Sequence, residues 1–557
     1  MISRDQALEA MQEHEFDVVV IGGGITGAGV ALDAASRGYS VALVERDDFA
    51  TGTSSRSSKM VHGGLRYLQN FDLGLVREAL LERQLLVQLT PHLVYPTPFL
   101  VPALGDERRD LRIGIGLNMY DVMATSRIGR GRSQRTEHSE GADYWSPDRH
   151  HTISGEEATE LVPALGPLDP GSAYLFYDCQ TDDVRLVLTI LGEAERFGAV
   201  VVNGAEVTEV LDDGGRAAGV GCVDAESGEP FEVRAANVVN ATGVWADRIR
   251  PDELLGEEEI PRIRPSRGTH VTLSTDDLDI GSAACVIPAG GRRTIFVLPW
   301  YGRALIGTTD NDYNGDIDHV PPSEDDVTYL LDALNSYFEL SLEPSQLTGA
   351  YAGVRPLISS GDPKKSVDIS RKAELYETSS GMLTITGGKL TTFRRMAAQV
   401  VDRITERDGR EAECRTDDIP LGMSARPEDL VTTAELPEGA ADQLAFRYGH
   451  AARAVLDLCD QNPELAEPIV AGLPDLMAEV VVAARREQAR SVADVLLRRT
   501  RLGLLAAPKL RDGEAVTAVA RTLGGELGWS DQRIEAEADS WRHLMASEGL
   551  DPTTALR

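Results

Sequence analysis

The chain has 557 residues, 42% of them hydrophobic, and a formal net charge of −34; that length predicts about two to four domains with a large interior, and that charge argues against a nucleic-acid partner. The five cysteines (Cys179, Cys222, Cys285, Cys414 and Cys459) are dispersed, with no C-x-x-C pair, against a disulfide framework, structural zinc or an iron–sulfur cluster. The uncharged stretch 85–105 carries Pro91, Pro96, Pro98 and Pro102, so no transmembrane helix is expected there.

The opening MISRDQALEAMQEHEF is charged and lacks a secretory apolar core, which predicts a cytoplasmic location. FDVVVIGGGITGAGVALDAASRGYSVALVER (16–46) then reads as strand, tight glycine turn, Ala-rich helix and second strand, the β-α-β unit of a dinucleotide fold. In it Gly22, Gly24 and Gly27 satisfy G-x-G-x-x-G, with Ile25 and Thr26 opening the helix. Gly22 allows the turn, Gly24 lets backbone approach a pyrophosphate at the helix N-terminus, and Gly27 lets helix and strand pack closely. Glu45, eighteen residues past Gly27, is placed to accept hydrogen bonds from ribose hydroxyls, with Arg46 beside it. An acidic residue there argues against a 2′-phosphate and suits FAD or NAD.

TSSRSSKMVHGGLRYL (53–68) mixes hydroxyls, basic side chains, a His and a Gly pair. Thr53, Ser54, Ser57, Ser58 and Lys59 are expected to line the pyrophosphate and ribityl chain of a cofactor. Gly63 lets backbone pass close to an isoalloxazine. A helix is predicted over about 75–89, followed by an extended Pro-rich segment. Residues 108–135 carry seven Arg and two Asp among apolar residues; this reversal of sign reads either as a basic surface loop or as an interfacial patch for anionic lipid.

Residues near 185–202 read as a helix leading into a strand, followed by strands around Val207–Val210 and 238–241, and Val207 is assigned to the cofactor lining. Asn240-Ala241-Thr242-Gly243 follows the second of these and reads either as a strand-to-turn boundary or as a second cofactor loop. Alternating runs such as HVTLS and TIFVLPWYGRALIGTTD predict an antiparallel sheet. Arg355, in GVRP, and Arg371, in VDISRKAEL, suit either structural ion pairs or a dianionic substrate that takes forked hydrogen bonds. Gly387-Gly388-Lys389-Leu390-Thr391-Thr392 lies between the strand-like MLTIT and a helix. Its backbone N–H groups and Lys389 would face the electron-rich edge of a reduced flavin. A polar stretch over about 407–427 reads as a linker, and the remainder as a helical domain.

In order and spacing, GGGITG with LVER, TSSRSSKMVHGGLRYL, NATGVWAD, PWYGRALIGTTD, YAGVRP, GGKLTT, RYGHAARAVL and ADVLLRRTRLGLL resemble the FAD-dependent glycerol-3-phosphate dehydrogenases over essentially the whole chain. The resemblance implies an α/β fold: a Rossmann-like FAD-binding domain of the two-dinucleotide-domain, D-amino-acid-oxidase type (1–90, 170–255 and 350–407), an inserted antiparallel-sheet substrate domain (91–169 and 256–349) and a helical C-terminal domain (420–557). It implies oxidation of sn-glycerol 3-phosphate to dihydroxyacetone phosphate, with electrons passed from FAD to a membrane quinone. Around the substrate it places Arg66, Tyr67, His270, Arg355, Arg371, Lys389 and Thr392, with Arg355 and Lys389 as catalytic cations. His62 is the candidate general base, with a packing role as its alternative, and Gly388, Leu390 and Thr391 join the cofactor set.

A location on the inner face of the cell membrane follows from the quinone. The alternatives are an α-glycerophosphate oxidase that uses O2, an amino-acid oxidase of the same fold, and a non-catalytic or RNA-modifying flavin protein. A homodimer is among the assemblies expected.

Overall fold

The computed structural model describes residues 2–64, 73–104, 111–124, 149–249, 262–291, 293–359, 373–511 and 513–552. Two large sheets organise them. In the first, strands Leu383–Gly387, Pro230–Asn240, Phe16–Ile21, Val41–Val44 and Val200–Val202 lie side by side and parallel, with Ala373–Glu377 antiparallel at one edge. Near-continuous apolar runs such as VVVI and VALV suit strands covered on both faces. Val18 and Val20 join the core formed with helices Ile25–Ser36, Asp183–Arg196 and Phe393–Asp408. Phe16, Val19 and Ile21 join a second core under helix Arg4–Glu13 and the antiparallel pair Ala205–Asp213 and Arg216–Asp224.

The turn after the first strand follows from its glycines. Gly22 has φ 108°, and a Cβ there would lie 2.8 Å from the Ala241 carbonyl oxygen. A Cβ on Gly27 would lie 1.9 Å from the Gly22 carbonyl oxygen. Only glycine at both positions lets the helix start this close to the strand it follows.

The second sheet has ten strands. Its centre runs Arg262–Ser274, Arg303–Gly307, Thr294–Trp300, Ala284–Pro288, Tyr95–Leu104 and Pro170–Gln180, antiparallel except where 284–288 meets 95–104. Leu347–Ser359 pairs with Arg262–Ser274 along its whole length. Sequence placed the start of the return at 350; the next described residues to join the first sheet are Ala373–Glu377. Likewise, Pro170–Gln180 belongs to the second sheet although 170 was expected to open the return to the nucleotide domain. Strand alternation looks the same in either sheet, and only long-range pairing assigns it.

The C-terminal helices, among them Ala440–Tyr448, Met477–Arg486, Glu514–Leu527 and Asp531–Ser547, share one core with the second sheet, in which Phe99, Trp300 and Tyr351 meet Val480, Leu496 and Trp541. The polar stretch before them is fastened down, with Leu421 N donating to Leu89 O at 2.8 Å and His450 N to Met423 O at 2.8 Å.

Candidate active site

The carboxyl ends of four neighbouring strands of the first sheet open on one cleft of about 660 Å³. At roughly 4.8 Å per strand, it crosses three strand gaps, or about 14 Å. Ligands of open parallel sheets bind at such an edge. The strand ends contribute Ile21 and Gly22, Val44 to Asp47, Ala241 to Gly243, and Gly387 to Leu390, and the second sheet closes the far side with His270 and Arg355.

At one end Glu45 accepts hydrogen bonds from Gly23 N at 2.6 Å and Asp47 N at 3.0 Å. Burial nonetheless pushes its carboxyl up to about 7. Gly24, next in the turn, would bring an added Cβ near only the Ser54 hydroxyl, at 3.1 Å, so its backbone stays open to the cleft. Ser54 Oγ accepts from Ile25 N at 2.9 Å, which binds the 53–59 loop to the helix start. Across the cleft, Asn240 orders the second loop by accepting from Thr242 N and Oγ1 at 3.2 and 2.7 Å.

At the other end the 387–392 loop meets His62. Thr391 Oγ1 accepts from His62 N at 3.2 Å and lies 3.3 Å from His62 O. Arg355 reaches Thr308 Oγ1 at 3.1 Å, Thr309 O at 3.3 Å and Asp310 Oδ1 at 3.3 Å. His270 stacks on Tyr351 with ring centroids 4.8 Å apart and lies 2.8 Å from Ser58 Oγ through Nε2. Burial first, then the charges of Lys59 and Arg355, hold its imidazole well below the usual range, so it is neutral.

The model of the family described as FAD dependent oxidoreductase matches residues 17–394, and that of the C-terminal domain of alpha-glycerophosphate oxidase matches 414–534. The chain is 37% identical over 556 residues to glycerol-3-phosphate dehydrogenase 2 of Mycobacterium tuberculosis, covering 98% of this chain and 91% of that one. It is 34% identical to the aerobic glycerol-3-phosphate dehydrogenase of Bacillus subtilis, covering 90% and 89%. The chain belongs to the FAD-dependent glycerol-3-phosphate dehydrogenase family. The crystal structure of the Bacillus halodurans member, complexed with FAD, superposes with a TM-score of 0.75 at 27% identity, covering 98% and 97%.

FAD is the cofactor, and the cleft of this family member fits it. Its length suits a dinucleotide, a buried carboxylate at one end suits ribose hydroxyls, and Gly24 leaves room for a pyrophosphate. Among the residues singled out from sequence, the lining holds Gly22, Gly24, Ile25, Thr26, Glu45, Arg46, Thr53, Ser54, Ser57, Ser58, His62, Val207, Ala241, Thr242, Gly243, His270, Arg355, Gly388, Lys389, Leu390 and Thr391.

Four of the candidates stand behind the wall. Gly27 serves the helix–strand approach described above. Lys59 was expected along the pyrophosphate, but its ammonium is fully buried and paired with Asp183 at 2.7 Å. Gly63 N donates to Tyr120 Oη at 2.9 Å, and a Cβ there would lie 2.6 Å from Leu80 and Tyr120, so this glycine admits the packing of the 73–89 and 111–124 helices. Thr392 is buried at the start of the helix that follows the loop. Arg66, Tyr67 and Arg371 lie outside the described residues. The lining also includes Met60, Arg56, Thr208 and Arg248, which sequence reasoning did not single out, and Trp245, noted there only as part of NATGVWAD. For Arg56 the signal was its position inside the 53–68 motif; Thr208 and Arg248 carried none.

Proposed function

We propose that this chain oxidises sn-glycerol 3-phosphate to dihydroxyacetone phosphate and passes the electrons to a membrane quinone. The observation that carries the reading is that Arg355, His270, His62 and Lys389 all line the cofactor cleft, together with the names of the relatives. Held by the residues of this cleft, FAD would supply a two-electron acceptor for the hydride of substrate C2.

Arg355 stays protonated at every working pH and holds oxyanion charge, on the phosphate or on the developing C2 alkoxide. Arg66 and Arg371 would supply the remaining phosphate contacts. His62 takes the hydroxyl proton, its backbone clasped by Thr391. Neutral His270 accepts or donates one hydrogen bond without adding charge. Lys389 and the turn Leu390–Thr392, which opens helix Phe393–Asp408, offer positive potential at the cleft wall.

Anaerobic addition of glycerol 3-phosphate to the purified yellow protein should bleach the flavin band within one turnover. A spectrum that stays oxidised would reject the substrate. The C-terminal family model is named for an oxidase, so the acceptor is tested separately. A quinone analogue should reoxidise the enzyme with little peroxide, whereas stoichiometric H2O2 in air would assign it to the oxidases.

The reading requires access to the bilayer. Among the described residues no helix is long and apolar enough to cross a membrane. Helix Leu111–Ala124 instead exposes Ile115 (62%), Met119 (37%) and Val122 (68%), one stripe at helical spacing. In sequence it is flanked by Arg108, Arg109, Arg127 and Arg130. We assign this face to peripheral docking on anionic lipid. Flotation with anionic liposomes should carry the protein upward, and Ile115→Asp with Val122→Asp should leave it in the dense fraction; equal flotation would reject this face.

A further inference from the structure

The stretch Arg498-Arg499-Thr500-Arg501 takes no part in the chemistry above, yet it is where the C-terminal region enters the cofactor domain. Arg498 Nε and Arg499 Nη1 donate to Asp48 Oδ2 at 2.5 and 2.8 Å, just past the Glu45 strand end. Arg501 goes further in. Its side chain is buried and its backbone lies in the left-handed region at φ 66°. Nε donates to Asp182 Oδ2 at 3.2 Å and Nη2 donates to Asp183 Oδ1.

Asp182 and Asp183 open helix Asp183–Arg196, and the second oxygen of Asp183 turns toward the cleft loop. It accepts from Ser57 Oγ at 2.7 Å, Ser57 N at 3.3 Å and Lys59 Nζ at 2.7 Å. Lys59 itself has φ 57°, a conformation that costs free energy for a non-glycine residue unless its surroundings hold it. Between these anchors Ser58 Oγ meets His270 Nε2 at 2.8 Å, and Tyr351, stacked on His270, donates to Ser57 O at 2.8 Å. Ser57, Ser58 and His270 all line the cleft.

We propose that Arg501 is a positioning residue for the active site, fixing the Ser57–Lys59 turn through Asp183 and the ring of His270 through Ser58. Two carboxylates, Asp182 and Asp183, here face two cations, Lys59 and Arg501, in a buried cluster. Without the guanidinium, one ammonium faces two buried carboxylates, which have to shed charge or draw in water, and either response moves the turn. The fork also matters, because Nε and Nη2 engage two different carboxylates from separate points of one rigid plane, a spacing that the single nitrogen of a lysine does not reproduce. The C-terminal region thereby becomes part of the site's scaffold without touching either reactant. The inference rests on the glycerol 3-phosphate reading of the cleft.

Arg501→Met and Arg501→Lys, loaded with FAD, are compared with wild type in two measurements. Hydrogen exchange should show the amides of 55–62 opening at least several-fold faster in Arg501→Met, with the rest of the FAD domain unchanged. Flavin reduction by glycerol 3-phosphate should lose about 10- to 100-fold in kcat/KM, Arg501→Lys recovering part of it. Ser58→Ala combined with Arg501→Met should be no worse than about threefold below Arg501→Met alone, because both act through one contact.

Wild-type exchange at 55–62, or effects of Ser58 and Arg501 that multiply, would overturn the proposal. If Arg501→Met does not fold, Arg501→Lys carries both measurements with the same criteria. If wild-type enzyme is not reduced by glycerol 3-phosphate, the substrate reading falls, and the exchange measurement still decides the role of Arg501.

Discussion

Arg355 illustrates how much depends on the shape of one side chain. Its guanidinium already spans Thr308, Thr309 and Asp310, so its direction is set before any substrate arrives. Arg355→Lys keeps a charge and loses the fork. Stopped-flow flavin reduction in that variant should fall by about 10²-fold with KM raised and FAD content unchanged. Glu45 offers a second test at this scale. Burial raises its carboxyl to about 7, above its ordinary value of 4.5, so folding of the empty protein favours the protonated form. That contribution is complete below about 4.5 and is lost as pH rises through about 7. Ribose hydroxyls instead reward the ionised form. FAD affinity should therefore increase as pH rises toward 7, with proton release visible as a buffer-dependent heat of binding. Glu45→Gln should remove that pH dependence and weaken binding.

At the level of elements, the first β-α-β unit works because strand, turn and helix agree. The strand carries Val18 and Val20 into one core and Val19 and Ile21 into the other, which fixes its register in the sheet. The helix then begins within contact of the strand end, at Gly27 against Gly22. In Gly27→Ala the new methyl meets backbone that cannot rotate away, so the helix has to shift. The expected result is a folded protein whose absorbance ratio at 450 to 280 nm is near that of apoprotein. Retention of full FAD content would show that the helix can move without opening the pyrophosphate site.

On the scale of the whole molecule, buried ion pairs join parts that sequence separates by hundreds of residues. Burial opposes ionisation of Asp48, but the charges of Arg499 and Arg498 prevail and hold its carboxyl down at about 2. Asp182 is held at about 2 in the same way, burial being outweighed by Arg501, an amide of Arg185 and Lys59. A depressed carboxylate stabilises the fold above its ordinary value of 3.8 and loses that contribution as pH falls toward 2. Thermal melting should therefore drop steeply below about pH 4. Asp48→Asn should lower the melting temperature at pH 7 and flatten that acid limb, since two buried guanidinium groups lose a charge partner, a loss of about 3–5 kcal/mol. An unchanged acid limb would place the stabilising charge elsewhere.

Parts of this protein whose causes are local are legible in the residues themselves. GGGITG with its flanking strand, NATG and GGKLTT each pair a strand end with a glycine turn, and those turns meet along the edge of one sheet. Backbone conformation and side-chain size within a few residues are enough to specify them. Tertiary structure decided what depends on pairing and burial across long separations. It kept Leu347–Ser359 in the second sheet, because register with Arg262–Ser274 is a relation between distant strands. It turned Lys59 away from the cleft, because Asp183, more than a hundred residues later, pairs with the buried ammonium at 2.7 Å and offsets the cost of its burial. It also brought Arg501 to the site loop, since which carboxylate a buried guanidinium meets is settled by packing and not by the neighbours it has in the chain.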